Sequence, residues 1–322
     1  LICPVIMMSG HGTVETAVEA TRLGAYDFLE KPLSLAKLLL TVERALEADR
    51  LAQENVGLKR RSSQLIEPIG HSAVVQRLRE QVKRIAQHDS WVLIAGEPGS
   101  GRETFARYLH AHSSRRDRPF IEVGVSAISP GNAAQELFGT ERDGEIQYGR
   151  LEQASGGTLF LDEVADMDLE AQAQLVGALD TGSFIRIGGS APVNIDVRVI
   201  AATQRDLNKA VEEGAFREDL FYQLNVVPLV VPPLRDHRED IPELLESAVD
   251  RLVEQDKLPY RRFSIGAQNL LRHHPWPGNI RELKNLVQRV LILGSGDEVS
   301  AAEVEAAMGA AQAASAGAGV PG

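Results

Sequence analysis

An α/β fold, a parallel sheet covered by helices, follows from three features of the 322-residue sequence. Short β-branched runs alternate with helical stretches between residues 67 and 236, at 91–95, 120–123, 158–161, 197–202 and 226–231. Strands alternating with helices predict a parallel sheet with both faces covered. Between the first run and a helix-like stretch at 104–110 lies Gly96-Glu97-Pro98-Gly99-Ser100-Gly101-Arg102-Glu103. That order of strand, glycine-rich turn and helix aims successive backbone N–H groups and a helix N-terminus at a polyphosphate. From 237 to about 307 the pattern turns all-helical, interrupted by Pro275-Trp276-Pro277-Gly278, which predicts a separate helical segment.

The flanks read differently. Residues 1–46 alternate strand, helix, strand, helix, with strands at 5–8 and 26–29, a helix at 13–23, and a last helix carrying Leu35, Leu38, Leu39, Val42 and Leu46 at helical spacing. Such a piece is too small to close a core alone. Residues 47–66 are charged and read as a helical linker, with Lys59-Arg60-Arg61 as a solvated face. Ser300 and Glu303 predict a capping box for a short final helix. The Ala/Gly-rich tail, 308–322, is expected to be disordered.

Composition narrows the function. A net charge of −11 and a pI of about 5.3 argue against tight nucleic-acid binding by the chain as a whole. The single cysteine, Cys3, allows no internal disulfide and suits a cytoplasmic location. No apolar run approaches the roughly 20 residues that span a bilayer, so no membrane partner is expected.

The chemistry lies at strand ends. The loop follows G-x-x-x-x-G-K-[ST] except that Arg102 stands at the lysine. Arginine keeps the charge as a wide planar fork, where lysine is a compact point charge. Thr158-Leu159-Phe160-Leu161-Asp162-Glu163 is an apolar run ending in two acids. Behind a phosphate loop the first acid can hold Mg²⁺ through water and the second can orient an attacking water. Thr203 ends another run and can place a hydroxyl near a γ-phosphate.

Four segments carry a family resemblance. Gly156 to Glu163, Phe216-Arg217-Glu218-Asp219-Leu220, Pro232-Pro233-Leu234-Arg235 and Trp276-Pro277-Gly278-Asn279-Ile280-Arg281-Glu282-Leu283 resemble the central domain of NtrC-type activators, AAA+ ATPases that remodel sigma-54 RNA polymerase. The likeness runs from about Ile69 to Ala307. The first segment is similar to the C-terminal half of a flavodoxin-like receiver domain, with Ser9 at the hydroxyl that meets the phosphoryl group, Phe28 at the switch aromatic and Lys31-Pro32 at the Lys-Pro pair. Within the class, NtrX-like regulators of nitrogen-related two-component systems are most similar. The resemblance implies an AAA+ phosphate-loop domain over 67–236 and a lid over 237–307, binding ATP or ADP with Mg²⁺. Gly96, Glu97, Pro98, Gly99, Ser100, Gly101, Arg102 and Glu103 would hold the nucleotide, with Ile69, Gly70 and the sensor II residue Arg281. Asp162 and Glu163 become the Walker B acids, Asp162 the magnesium ligand, Thr203 sensor I and Arg217 an arginine finger. Self-assembly into a ring and a cognate sensor histidine kinase, acting through a complete receiver, are the implied partners.

Departures from the family pattern point one way. Arg102 replaces lysine, Gly124 stands where an asparagine restrains the catalytic glutamate, and Gln223 replaces a second finger arginine. Between Gly139 and Gly149 the chain has Thr140 to Tyr148, shorter than the family's G-A-F-T-G-A loop and without its Phe-Thr tip, which argues against a grip on sigma-54 polymerase. No basic recognition helix follows Ala307, so DNA is expected only through a domain outside this sequence. Three readings stay open: a regulator that binds nucleotide and assembles but hydrolyses weakly, a working ATPase that activates sigma-54 transcription, and an interaction module with an empty pocket.

Overall fold

The computed structural model describes residues 5–9, 25, 27–32, 34, 37–47, 67–129, 131–142 and 144–317. The chain divides into two compact units, Leu1–Leu65 and Ile66–Gly322.

In the first unit β1 (Ile6–Ser9) pairs in parallel with β2 (Asp27–Glu30), Ser9 opposite Glu30. Residues 37–47 are helical. The predicted apolar stripe of this helix faces outward: Leu39, Val42 and Leu46 are exposed, while Thr41 and Ala45 are buried. The predicted helix at 13–23 and the linker beyond Glu47 lie outside the described residues, Lys59-Arg60-Arg61 among them.

The second unit is built on five parallel strands: β3 (Val92–Ala95), β4 (Phe120–Gly124), β5 (Thr158–Asp162), β6 (Arg198–Thr203) and β7 (Val227–Val230), in the spatial order β7-β3-β6-β5-β4. All five match predicted runs to within a residue or two. Alternate side chains enter different cores, as the two-residue period of a strand requires. Val92, Ile94, Phe160, Ile200 and Ala202 join Leu78, Val82, Phe105 and Leu109 of α1 (Ala73–Ala86) and α2 (Arg102–Ala111). Their neighbours Leu93, Leu159, Leu161, Val199 and Ala201 join a second core with Leu137, Leu151 and Leu175, the last on α3 (Leu169–Thr181). Pro228 is tolerated because β7 is an edge strand.

Two antiparallel hairpins, absent from the predicted pattern, interrupt the alternation. Gly139–Arg142 pairs with Glu145–Tyr148, and Ser183–Ile185 with Pro192–Asn194. Their short strands carry few apolar side chains and give no periodic signal. Arg186 lashes the two together, reaching Glu141 Oε2 at 3.2 Å and Glu152 Oε1 at 2.7 Å, while its guanidinium lies 5.7 Å from the centre of the Tyr148 ring.

The lid packs α4 (Ile241–Asp256), α5 (Ile265–His273), α6 (Asn279–Leu293) and α7 (Ala301–Gly317) around Leu245, Leu271, Trp276, Leu283 and Val287. Trp276 is core, its indole N–H donating to Leu271 O at 2.8 Å. The lid is not wholly helical: Arg262–Phe263 pairs in parallel with Glu298–Val299. The expected capping box forms, with Ser300 N–H donating to Glu303 Oε2 at 2.9 Å and Glu303 N–H to Ser300 Oγ at 3.3 Å. The helix it starts runs on to Gly317, where a disordered tail from 308 had been expected. Alanine is the strongest helix former, so Ala-rich sequence without large side chains can still extend an existing helix. Residues 318–322 lie outside the described ones. Among the described residues, no helix is long and apolar enough to cross a membrane.

Arg261 is the lid's buried cation. Its guanidinium donates to the carbonyls of Gly296, Val290, Ser295 and Glu298 and to Glu303 Oε1, at 2.7–3.0 Å. Replacing it strands several buried acceptors. Arg261→Leu is expected to lower stability by about 3 kcal/mol or more, measured by denaturant unfolding followed through tryptophan fluorescence; a loss below about 0.5 kcal/mol would contradict this role.

Candidate functional site

The parallel register brings four strand ends to one edge. Ala95 of β3 lies opposite Thr203 of β6, and Gly124 of β4 lies opposite Asp162 of β5. In open parallel sheets the crevice beyond the carboxyl ends is where ligands bind. The phosphate loop leaves β3 here, with Gly96 N–H donating to Thr203 O at 3.2 Å. Gly101 sits in the left-handed region, φ 104°, as the cap of α2. The loop thus ends on a ten-residue helix whose N-terminal N–H groups and dipole suit an anion.

Arg102 defines the electrostatics. Only 6% exposed, it turns from the start of α2 toward the β5 acids. Its Nη2 is hydrogen-bonded to Glu163 Oε1 and lies 3.3 Å from Asp162 Oδ1, and its Nη1 donates to Gly96 O at 3.2 Å. The second oxygen of Glu163 accepts from Gln204 N–H at 3.2 Å. Glu163 itself is held at φ 56°, an uncommon conformation for a residue other than glycine. Burial pushes the Asp162 carboxyl above its ordinary value, opposed by the Arg102 charge.

Two buried polar atoms in this cleft have no hydrogen-bond partner: Ser100 Oγ and Asp162 Oδ1. The 3.3 Å approach of Arg102 to Asp162 is a charge contact without hydrogen-bond geometry. Orphaned buried acceptors call for a ligand or ion. A phosphate oxygen at Ser100 and a hydrated cation at Asp162 fit them. Among the described residues no group of three His, Cys, Asp or Glu side chains is placed to hold a metal.

Other predicted residues fall around this centre. Glu103 pairs with Arg107 at 2.7 Å, and Arg107 with Glu122 at 2.6 Å. Thr203 Oγ1 accepts from Arg205 N–H at 3.0 Å. Arg281 is on the first turn of α6, and its backbone N–H donates to Gly99 O at 3.3 Å. Ile69 packs against the lid core, and the N–H groups following Gly70, those of His71 and Ser72, both donate to Asp240 Oδ1 at 2.7 Å. Arg217 is not brought to the acids; it forms a two-point pair with Asp219, at 3.0 and 2.7 Å. Gln223 bonds Asp180 instead of reaching the loop. In the first unit Lys31 N–H donates to Ser9 O at 2.8 Å, so the two predicted receiver residues meet at the strand ends; the Phe28 side chain lies outside the described residues.

Sequence reasoning missed the residues that bind loop to lid. Arg235 grips Glu97 with both terminal guanidinium nitrogens, Nη1 donating to Oε2 at 2.8 Å and Nη2 to Oε1 at 2.5 Å. Asn279 Nδ2 donates to Glu97 Oε2 at 3.0 Å and to Pro98 O at 3.1 Å. Arg235, then Asn279, hold the Glu97 carboxyl down to about 2. Both lay in motif segments already singled out, but an asparagine or arginine there reads equally as a surface residue.

Comparison with known proteins gives the family. A model for the sigma-54 interaction domain matches residues 68–230, and one for an AAA+ ATPase lid domain matches 235–319. The nitrogen assimilation regulatory protein NtrX of Azorhizobium caulinodans is 46% identical over 310 residues, which cover 95% of this chain and 67% of that protein. The DNA-binding transcriptional regulator NtrC of Rhizobium meliloti is 41% identical over 314 residues, covering 94% and 63%. The chain thus spans about two thirds of the length of these relatives. Crystal structures of Brucella abortus NtrX are similar with a TM-score of 0.73: in complex with ADP at 44% identity, covering 93% of this chain and 69% of that one, and in complex with ATP at 43%, covering 93% and 70%. The chain belongs to the NtrC/NtrX family of regulators, built on a sigma-54 interaction domain with an AAA+ lid.

Proposed function

We propose that this chain is the nucleotide-binding, self-assembling core of a two-component response regulator of the NtrX type, weak in hydrolysis and without a grip on sigma-54. The observation that carries the reading is the buried contact of Arg102 with Glu163 and Asp162. A carboxylate that orients an attacking water must be free to accept its proton or hydrogen bond; here one oxygen of Glu163 already accepts from a guanidinium and the other from a backbone N–H, which pins the carboxylate and leaves it fewer lone pairs for a water. Nucleotide binding depends on different groups: the loop amides, the α2 N-terminus and Ser100. Brucella abortus NtrX, solved with ADP and with ATP, supports carrying both ligands over. When bound, Mg²⁺ would be held from this chain by Asp162 and would neutralise phosphate charge. Arg217, released from Asp219, is the candidate finger toward a neighbouring subunit; Gln223 offers no second cation.

The missing grip rests on the hairpin. The segment from Gly139 to Tyr148 is a short paired ribbon, tied back through Glu141 N–H to Ile187 O at 2.9 Å and through Arg186. It carries no Phe-Thr tip to engage a partner. DNA and the sensor kinase would act through parts of the full protein outside this sequence.

Two measurements test the reading. Mg-ATP turnover is expected to be slow and to rise at least about tenfold in Arg102→Lys, since lysine cannot fork between Gly96 O, Asp162 and Glu163; an unchanged rate would move the defect to Gln223 or Gly124. Fast wild-type turnover that vanishes in Glu163→Gln would overturn the weak-hydrolysis claim. In a purified sigma-54 transcription system the full protein is expected to give no open complex above background, and robust open-complex formation would restore the activator reading.

A further inference from the structure

The lid is attached to the phosphate loop at three consecutive loop residues. Glu97 receives Arg235 and Asn279, the Pro98 carbonyl receives Asn279, and the Gly99 carbonyl receives Arg281 N–H at 3.3 Å. Asn279 is fully buried and left-handed at φ 52°, a conformation asparagine tolerates better than most residues. Its other end is also committed: Oδ1 accepts from Leu234 N–H at 2.8 Å, in the turn that leads from β7 to the lid. One side chain therefore joins lid helix, connecting turn and phosphate loop. The fit is close at Gly99, φ 75°, where an added Cβ would lie 2.4 Å from Gly278 O. A glycine-rich loop holds phosphate only when its N–H groups converge, and a loop free to flex would spend binding energy on ordering itself.

We infer that Asn279, with Glu97 and Arg235, is a positioning unit through which the lid fixes the shape of the phosphate loop, so that affinity for the phosphates of a nucleotide is set from the lid. The inference rests on the nucleotide-binding reading and is independent of whether ATP is hydrolysed. None of the three side chains needs to touch the nucleotide. Rigid-body movement of α6 would carry Glu97 and Pro98 with it and disperse the loop amides. The link also runs the other way: a phosphate that orders the loop stiffens the seat of the lid.

Asn279→Asp is the discriminating variant. It is isosteric, suits the left-handed backbone and keeps the acceptor for Leu234 N–H, but sets a second carboxylate against Glu97 and the Pro98 carbonyl. Glu97→Gln, at a half-exposed position, keeps the shape but removes the charge that Arg235 holds and one of the two accepting oxygens. Dissociation constants for ADP by calorimetry, and for adenosine by competition, are to be compared with ligand-free melting temperatures. The expected result is at least a tenfold loss of ADP affinity in Asn279→Asp and a smaller loss in Glu97→Gln, with adenosine within twofold of wild type in both. ADP affinity unchanged in both variants would overturn the inference alone. Equal losses for ADP and adenosine, tracking a fall in melting temperature, would overturn it too by showing a general structural role. Wild-type protein that binds neither ADP nor ATP would overturn the nucleotide reading and this inference with it.

Discussion

A guanidinium shut away from water has to be met by anions or carbonyls, and Arg102 finds two carboxylates and a carbonyl inside the cleft. Desolvating a cation is costly unless it is paired and hydrogen-bonded. The chain supplies Glu163, Asp162 and the Gly96 carbonyl from the ends of β5 and β3. The parallel register makes this possible, because it places the carboxyl ends of the inner strands on one edge. A compact ammonium would satisfy fewer of these acceptors. The same charge that makes the loop attractive to phosphate is thereby engaged by the two acids that would assist hydrolysis.

The unit holding this site was largely legible in the sequence. The inner strands β3, β5 and β6 stand out as apolar runs because both of their faces are buried, and the edge strands β4 and β7 keep enough β-branched residues to be read despite their exposed positions. The loop, the two acids and Thr203 were legible for the same reason: each sits where a buried strand ends. What stayed hidden was long-range. Nothing near Glu97 in sequence points to Asn279, and nothing near Gly70 points to Asp240, since hydrogen bonds between distant segments leave no period. The hairpins were hidden because their surfaces are exposed and mixed in polarity. The helix at 37–47 misled for the opposite reason: its leucine spacing reads as a buried face, yet the described surroundings leave Leu39 and Leu46 in solvent.

Two changes at one place shape the view of the site. Gly124 offers no side chain to restrain Glu163, and an added Cβ there would meet only Ala127 at 4.0 Å, so the space is open. Arg102 reaches Glu163 from the start of α2. The carboxylate is anchored in either arrangement, but here the anchor is part of the phosphate loop.

Sandwiching the sheet between two helical layers also governs how its length can drift. All six residues of β6 are buried, alternately against one layer and the other. Gain or loss of a single residue within it would swap every later side chain to the opposite layer, sending Ala201 among the partners of Ile200. In the ribbons at 139–148 and 183–194 few side chains are buried, Phe184 chief among them, so such a slip costs less there. Evolutionary insertion and trimming should therefore collect in those ribbons, while the inner strands keep their residue count even as their side chains change.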